Sequence, residues 1–188
     1  GIQRPLTSRV VAQGQSDDRA GIKPPAPPND GTTLSKRVHA QVAHQPFFKG
    51  MSAQQIQTLA DSAMEIEFEP GQWIYRQGEM ANRFYVILEG KVLLESDVKE
   101  HGVVPIRTLG PGDNLGWAWL FPPHYMHFSA QAVEPVKAIF FYGTRLRQQC
   151  DENHALGYEL MTRIAQIVIK NLNATQQRLM ECVGRIIP

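Results

Sequence analysis

The residues with the clearest chemical potential lie between Leu109 and Ala132, in LGPGDNLGWAWLFPPHYMHFSAQA. Gly110, Pro111 and Gly112 open this stretch with a turn that most side chains cannot make. Asn114 leads into a segment able to form one helical turn. Pro122 and Pro123 then stop it, because proline neither extends a helix nor donates to a ladder. A glycine-rich turn feeding a short helix presents free backbone N–H groups, a geometry suited to an anion. The side chains point elsewhere: from Leu115 to Ala132 there is no Lys, Arg, Asp or Glu. Trp117, Trp119, Phe121, Tyr125, Met126 and Phe128 supply bulk instead. Such residues fill a pocket as core, receive a flatter apolar ligand, or form a protein-contact patch, since aromatics and Met are enriched at interface centres. His124 and His127 are the only imidazoles in the stretch, and no third or fourth ligand follows them, so no metal site is expected.

No other constellation competes. There is no Ser-His-Asp order, no activated cysteine, no pair of catalytic carboxylates and no lysine-bearing phosphate loop. His101 and Cys150 stand without an evident partner. The expectation is a non-catalytic chain with no catalytic residues and no cofactor. The 188 residues suit one domain plus an extension. Lys and Arg total 19 against 18 Asp and Glu, a net charge of +1, which argues against a nucleic-acid partner. The two cysteines, Cys150 and Cys182, lack metal-ligand spacing, which makes a reducing, cytoplasmic setting the expectation. No apolar run approaches the ~20 residues of a membrane span, and no secretory signal pattern opens the chain.

The elements that position the stretch follow from periodicity. Residues 1–40, crowded with Pro24, Pro25, Pro27 and Pro28, predict an extension that is flexible or ordered on a partner. Phe47 and Phe48 are an aromatic anchor, and Ser52 caps a short helix with Ile56, Leu59, Ala60 and Ala63 on one face. From Met64 the pattern alternates, and glycine turns punctuate short runs up to Tyr142. The fold class is mainly β with flanking helices, an antiparallel barrel or jelly roll over residues 44–142. Thr144 caps a helix, and a long helix follows from about His154 to Val183. Its seam, Met161, Ala165, Val168, Leu172, Thr175, Leu179 and Cys182, predicts a homodimer along C-terminal helices that occupy 143–183.

With these residues placed, the segment PGQWIYRQGEMANRFYVILEGKV, then LGPGDNLG, the proline-bearing loop, AVEP and the long last helix resemble the cyclic nucleotide-binding domain family over about residues 44–183. That family includes the sensor halves of Crp/Fnr-type regulators. The resemblance implies a jelly-roll barrel of that type and a phosphate-binding cassette reading F-G-E-x-A-L, followed by R-S-A or R-T-A. There the glutamate accepts from the ribose hydroxyl and the arginine pairs with the cyclic phosphate. Here the cassette is degenerate. Gly116 keeps its place, Trp117 stands at the glutamate, Met126 at the arginine and His127 at the small hydroxyl, with Trp119 two residues past Trp117. A buried phosphate without a countercharge forgoes a charge-assisted bond worth about 1.5–3 kcal/mol. cAMP or cGMP in the usual pose is therefore not expected.

In Crp/Fnr-type regulators a helix-turn-helix domain follows the long helix, and only Gly184 to Pro188 remain here. The expectation is a regulatory or accessory subunit rather than a DNA-binding protein. The stretch Gly116, Trp117, Trp119, Leu120, Phe121, Pro122, Pro123 is also similar to stand-alone proteins such as the small dimeric accessory subunit of bacterial NAD-reducing hydrogenases. That similarity implies a partner in a larger redox enzyme complex, with Trp119, Phe121, Pro122, Pro123 and Tyr125 as contact residues. The alternatives are a stand-alone sensor of a cyclic nucleotide or other small molecule, and a truncated transcription regulator.

Overall fold

A computed structural model describes residues 31–100 and 102–186. Among the described residues, eight strands form two four-stranded sheets. The first sheet has the order β1 (Ala63–Phe68), β8 (Val136–Tyr142), β3 (Arg83–Glu89) and β6 (Asn114–Leu115). The second has the order β2 (Trp73–Tyr75), β7 (Ser129–Ala132), β4 (Val92–Val98) and β5 (Gly102–Leu109). All named pairs are antiparallel. The predicted jelly-roll architecture is present.

One apolar cluster fills the space between the sheets, drawing Tyr85 and Ile87 from β3, Ala138 and Phe140 from β8, Val92 and Leu94 from β4, and Ala130 and Ala132 from β7. A second cluster covers the other face of β3 and β8, where Phe84, Val86, Ile139 and Phe141 meet the helices. Burial on both faces explains why FYVIL and AIFF read as unbroken apolar runs instead of alternating ones.

The helical layer consists of α1 (Gly31–His44), a 3-10 turn Pro46–Phe48, α2 (Ala53–Ala60), α3 (Gly143–Glu152) and α4 (His154–Ile186). α2 starts as predicted: Ser52 accepts from Gln55 N while Gln55 accepts from Ser52 N, a reciprocal cap. α1 begins inside the stretch read as a flexible extension. Val38 and Val42 bury against the second cluster, and Arg37 and Gln41 hold the Glu65 carboxylate at 2.9 and 2.8 Å. The rest of that extension, residues 1–30 with the proline crowd, and His101 lie outside the described residues. α3 opens at Gly143 with Tyr142 as its N-terminal neighbour and no side-chain cap, so Thr144 does not fill the role expected of it.

α4 runs for 33 residues, about 50 Å at helical rise. Its first turns bury Leu156, Leu160 and Ile164 in the second cluster. Farther along it lies beside β5, the edge of the second sheet. Arg178 donates to the Ile106 carbonyl at 2.9 Å, and Arg107 donates to the Asn171 side chain at 2.6 Å. Of the expected dimer seam, Ala165 and Val168 are half-buried, and Val168 packs on the second cluster. Met161, Leu172, Thr175, Leu179 and Cys182 are exposed.

Candidate functional site

The stretch that resembles a cassette is fixed by backbone before side chains. β6 pairs with Tyr85 and Val86 of β3, which brings the cassette against that strand. Gly116 then turns in the left-handed region, φ 78°. A Cβ at Gly116 would lie 2.2 Å from the Arg83 carbonyl oxygen, so no other residue fits. The expected single turn follows as a 3-10 segment, Trp117–Trp119. The segment from Pro122 to Met126 then runs along the turn after β2. Ala81 N donates to the His124 carbonyl at 2.6 Å, Met126 N donates to the Glu79 carbonyl and Gly78 N to the Met126 carbonyl, both at 2.8 Å.

The side chains close the site from within. Met126 is buried, and its Cε lies 3.5 Å from where a Gly116 Cβ would stand. Ala118 and Trp119 are buried as well. Trp117 is half-buried, with its ring 5.6 Å from that of His127 and edge-on to Phe121 at 6.5 Å. Phe121, Pro122, Pro123 and Tyr125 are exposed, beside Met80, which bridges Tyr125. Trp119 departs from the expected contact set. It is 0% exposed, packed edge-on to Phe84 at 6.4 Å, because the 3-10 turn rotates it inward onto the helical layer. Arg147 of α3 donates to the Trp119 carbonyl at 2.6 Å and ties the cassette to that helix.

One basic group near the cassette is invisible to a search of the cassette itself. Arg83 projects from β3, donating to the Glu79 carboxylate at 2.7 Å and reaching the Ile74 carbonyl at 3.5 Å. It neighbours two buried phenols. Burial pushes the Tyr85 hydroxyl up to about 12, against the opposing pull of Arg83. Burial, then the neighbouring Tyr85, raises the Tyr75 hydroxyl further, although the Gly116 backbone and Arg83 oppose it. The signal that could have found Arg83 is the strand period, which places Arg83, Tyr85 and Ile87 on one face. Its charge is already matched by Glu79. Among the described residues no group of three His, Cys, Asp or Glu side chains comes together to hold a metal. No helix among them is long and apolar enough to cross a membrane.

Residues 65–153 match the family model described as Cyclic nucleotide-binding domain. The chain is 22% identical over 147 residues to a CRP-like cAMP-activated global transcriptional regulator of Mycobacterium tuberculosis, covering 78% of this chain and 64% of that protein. It is 28% identical over 96 residues to a cAMP-dependent protein kinase regulatory subunit of Schizosaccharomyces pombe, covering 51% of this chain and 22% of that protein. A crystal structure from Geobacter metallireducens GS-15, assigned to the cyclic nucleotide-binding proteins, superposes with a TM-score of 0.64 at 28% identity, covering 73% of this chain and 97% of that one. The chain spans less than two thirds of the length of the curated relatives it matches. Residues 65–153 are thus similar to cyclic nucleotide-binding domains, and the two curated relatives are a transcriptional regulator and a kinase regulatory subunit.

Proposed function

We propose that this chain is a non-catalytic regulatory subunit in which the cyclic-nucleotide cassette serves as packing, and that it acts as a homodimer docked on a larger protein complex. The observation that carries this reading is Met126. By the sequence resemblance the family's phosphate-pairing arginine falls near Met126, which is 3% exposed and lies against Gly116. Trp117, at the place of the ribose-binding glutamate, lies by His127 and Phe121. With Arg83 engaged by Glu79, no free countercharge for a cyclic phosphate is evident among the described side chains around the cassette. The docking element is the exposed loop of Phe121, Pro122, Pro123 and Tyr125 beside Met80, apolar groups of the kind found at interface centres. The dimer element is the outer half of α4. The partner class is a multisubunit redox enzyme of the NAD-reducing hydrogenase kind, on the strength of the tryptophan- and proline-bearing cassette, and the setting is cytoplasmic. Affinity purification from the native host tests the docking: co-elution of redox-enzyme subunits is expected, and recovery of the dimer alone counts against it. Calorimetry with cAMP and cGMP tests the cassette, with no heat of binding expected. Micromolar affinity for either overturns the packing reading.

A second reading is a small-molecule sensor, favoured by Arg83, whose guanidinium neighbours two buried phenols near the cassette. A metabolite that raises the melting temperature of wild type but not of Arg83→Ala selects this reading.

A further inference from the structure

Away from the cassette, the root of α4 forms a cavity of about 550 Å³ with the 3-10 turn Pro46–Phe48 and the turn between β5 and β6. A cavity of this size suits a small metabolite. Its walls are braced from within the chain. Arg163 donates from Nε to the Phe47 carbonyl at 2.9 Å and from a terminal nitrogen to the Lys49 carbonyl at 2.9 Å, and it pairs with Glu159. Asp113 accepts from Gly110 N at 3.0 Å, which fixes the opposite rim. These bonds account for Arg163, Glu159 and one oxygen of Asp113.

Two lysines are left over. Lys49, on the loop, and Lys170, on α4, both line the cavity, and neither makes an ion pair among the described residues. The lining also holds Asn114, whose Oδ1 is buried with no hydrogen-bond partner and so wants a donor. Thr162 and Gln166 add neutral polar groups, and Ile167 an apolar one.

We propose that this cavity is a binding site for a small phosphorylated metabolite carrying a hydroxyl or amine. Its phosphate lies between Lys49 and Lys170, and its donor meets Asn114. The site adjoins the cassette through Asn114, two residues before Gly116, but uses none of Gly116, Trp117, Trp119, Met126 or His127 and does not depend on the reading given above. A ligand here bridges the loop, the β5–β6 turn and α4, so occupancy fixes the angle at which α4 leaves the barrel.

The test is an amide-shift titration of the isotope-labelled full chain with glycerol 3-phosphate. Saturable shifts at Lys49, Asn114 and Lys170 are expected, with glycerol alone causing none. The double variant Lys49→Ala/Lys170→Ala, which changes two exposed side chains, is expected to weaken binding by about tenfold or more. Inorganic phosphate is expected to bind more weakly than glycerol 3-phosphate. No saturable shift up to about 10 mM, shifts centred on Gly116 and Trp117, or undiminished binding by the double variant would each overturn the proposal. The cassette signals are read in the same spectra, so failure here is distinct from failure of the packing reading.

Discussion

Gly143 and Trp119 meet with no room for a methyl group between them: a Cβ on Gly143 would lie 2.8 Å from Trp119 Cβ and 3.0 Å from the Asn82 carbonyl carbon. Gly143 N donates to the Asn82 carbonyl at 2.7 Å, so the backbone cannot easily move away. This is where β8 passes into α3 and where the cassette tryptophan is locked under the helical layer. Gly143→Ala is therefore expected to destabilise the fold by about 1–3 kcal/mol, the usual cost of forcing atoms into a packed site. Urea denaturation checks it. A change within about 0.5 kcal/mol would mean that Trp119 shifts freely, contrary to its packing.

Met126 tests whether the cassette is core. If its side chain is packing, Met126→Ala costs about 2–5 kcal/mol and Met126→Leu under about 1.5 kcal/mol. A ligand-contact residue would show the opposite profile, little loss of stability in either variant. Thermal and urea denaturation of both variants decide between the two.

Tyr85 gives the protein an alkaline limit. Its hydroxyl gives up its proton near pH 10 in an unfolded chain, whereas burial in the fold pushes that up to about 12. The folded state therefore binds more protons than the unfolded one above pH 10. The contribution is intact below pH 10 and is lost as the pH rises from 10 to 12. Wild type is expected to lose stability across that window at up to about 1.4 kcal/mol per pH unit for this group. Tyr85→Phe, which keeps the ring, removes that share. Parallel slopes for the two proteins between pH 9 and 11 would exclude Tyr85 as the source.

The cysteines are expected to differ sharply in reactivity. Burial and then the neighbouring Asp151 push the Cys150 thiol up to about 11, whereas Cys182 is exposed on α4. At pH 8 the Cys150 thiolate fraction is on the order of one in a thousand. Native protein should take up one equivalent of iodoacetamide quickly, at Cys182, and a second only in denaturant. If α4 pairs with its copy along the proposed seam, labelling of Cys182 also slows as protein concentration rises.

The outer half of α4 exposes Leu172 at 54% and Leu179 at 64%. Leu172→Glu/Leu179→Glu is expected to halve the molecular mass in analytical ultracentrifugation. Its effect on the melting temperature of the diluted protein should be small, since neither residue belongs to the barrel core. An unchanged mass would remove this face as the dimer contact.

The strands were legible because glycine turns separate them and because β3 and β8, covered on both faces, carry long apolar runs. The helical start at α2 was legible from Ser52 and Gln55. α1 was not, since it starts soon after the proline-rich segment and its large apolar residues, Leu34, Val38 and Val42, recur only once per turn among polar ones. The two-residue β6 is too short to show a period. For the cassette, the sequence located the substitutions at Trp117 and Met126 but not the direction of each ring. Trp119 was grouped with the exposed aromatics, because a 3-10 turn redistributes neighbours by a rotation that spacing alone does not reveal. Arg83 was missed for a different reason: it approaches through sheet pairing from a segment remote in the chain.

Two arginines decide what happens at the open margin of the second sheet. A strand with only one neighbour offers its free peptide groups to any extended chain that drifts past, the usual beginning of aggregation. Arg178 occupies the Ile106 carbonyl on that margin, and Arg107 holds the helix in place through Asn171. A chain cut short after Val168 would keep its barrel but leave β5 bare, and would be expected to clump on concentration rather than to unfold.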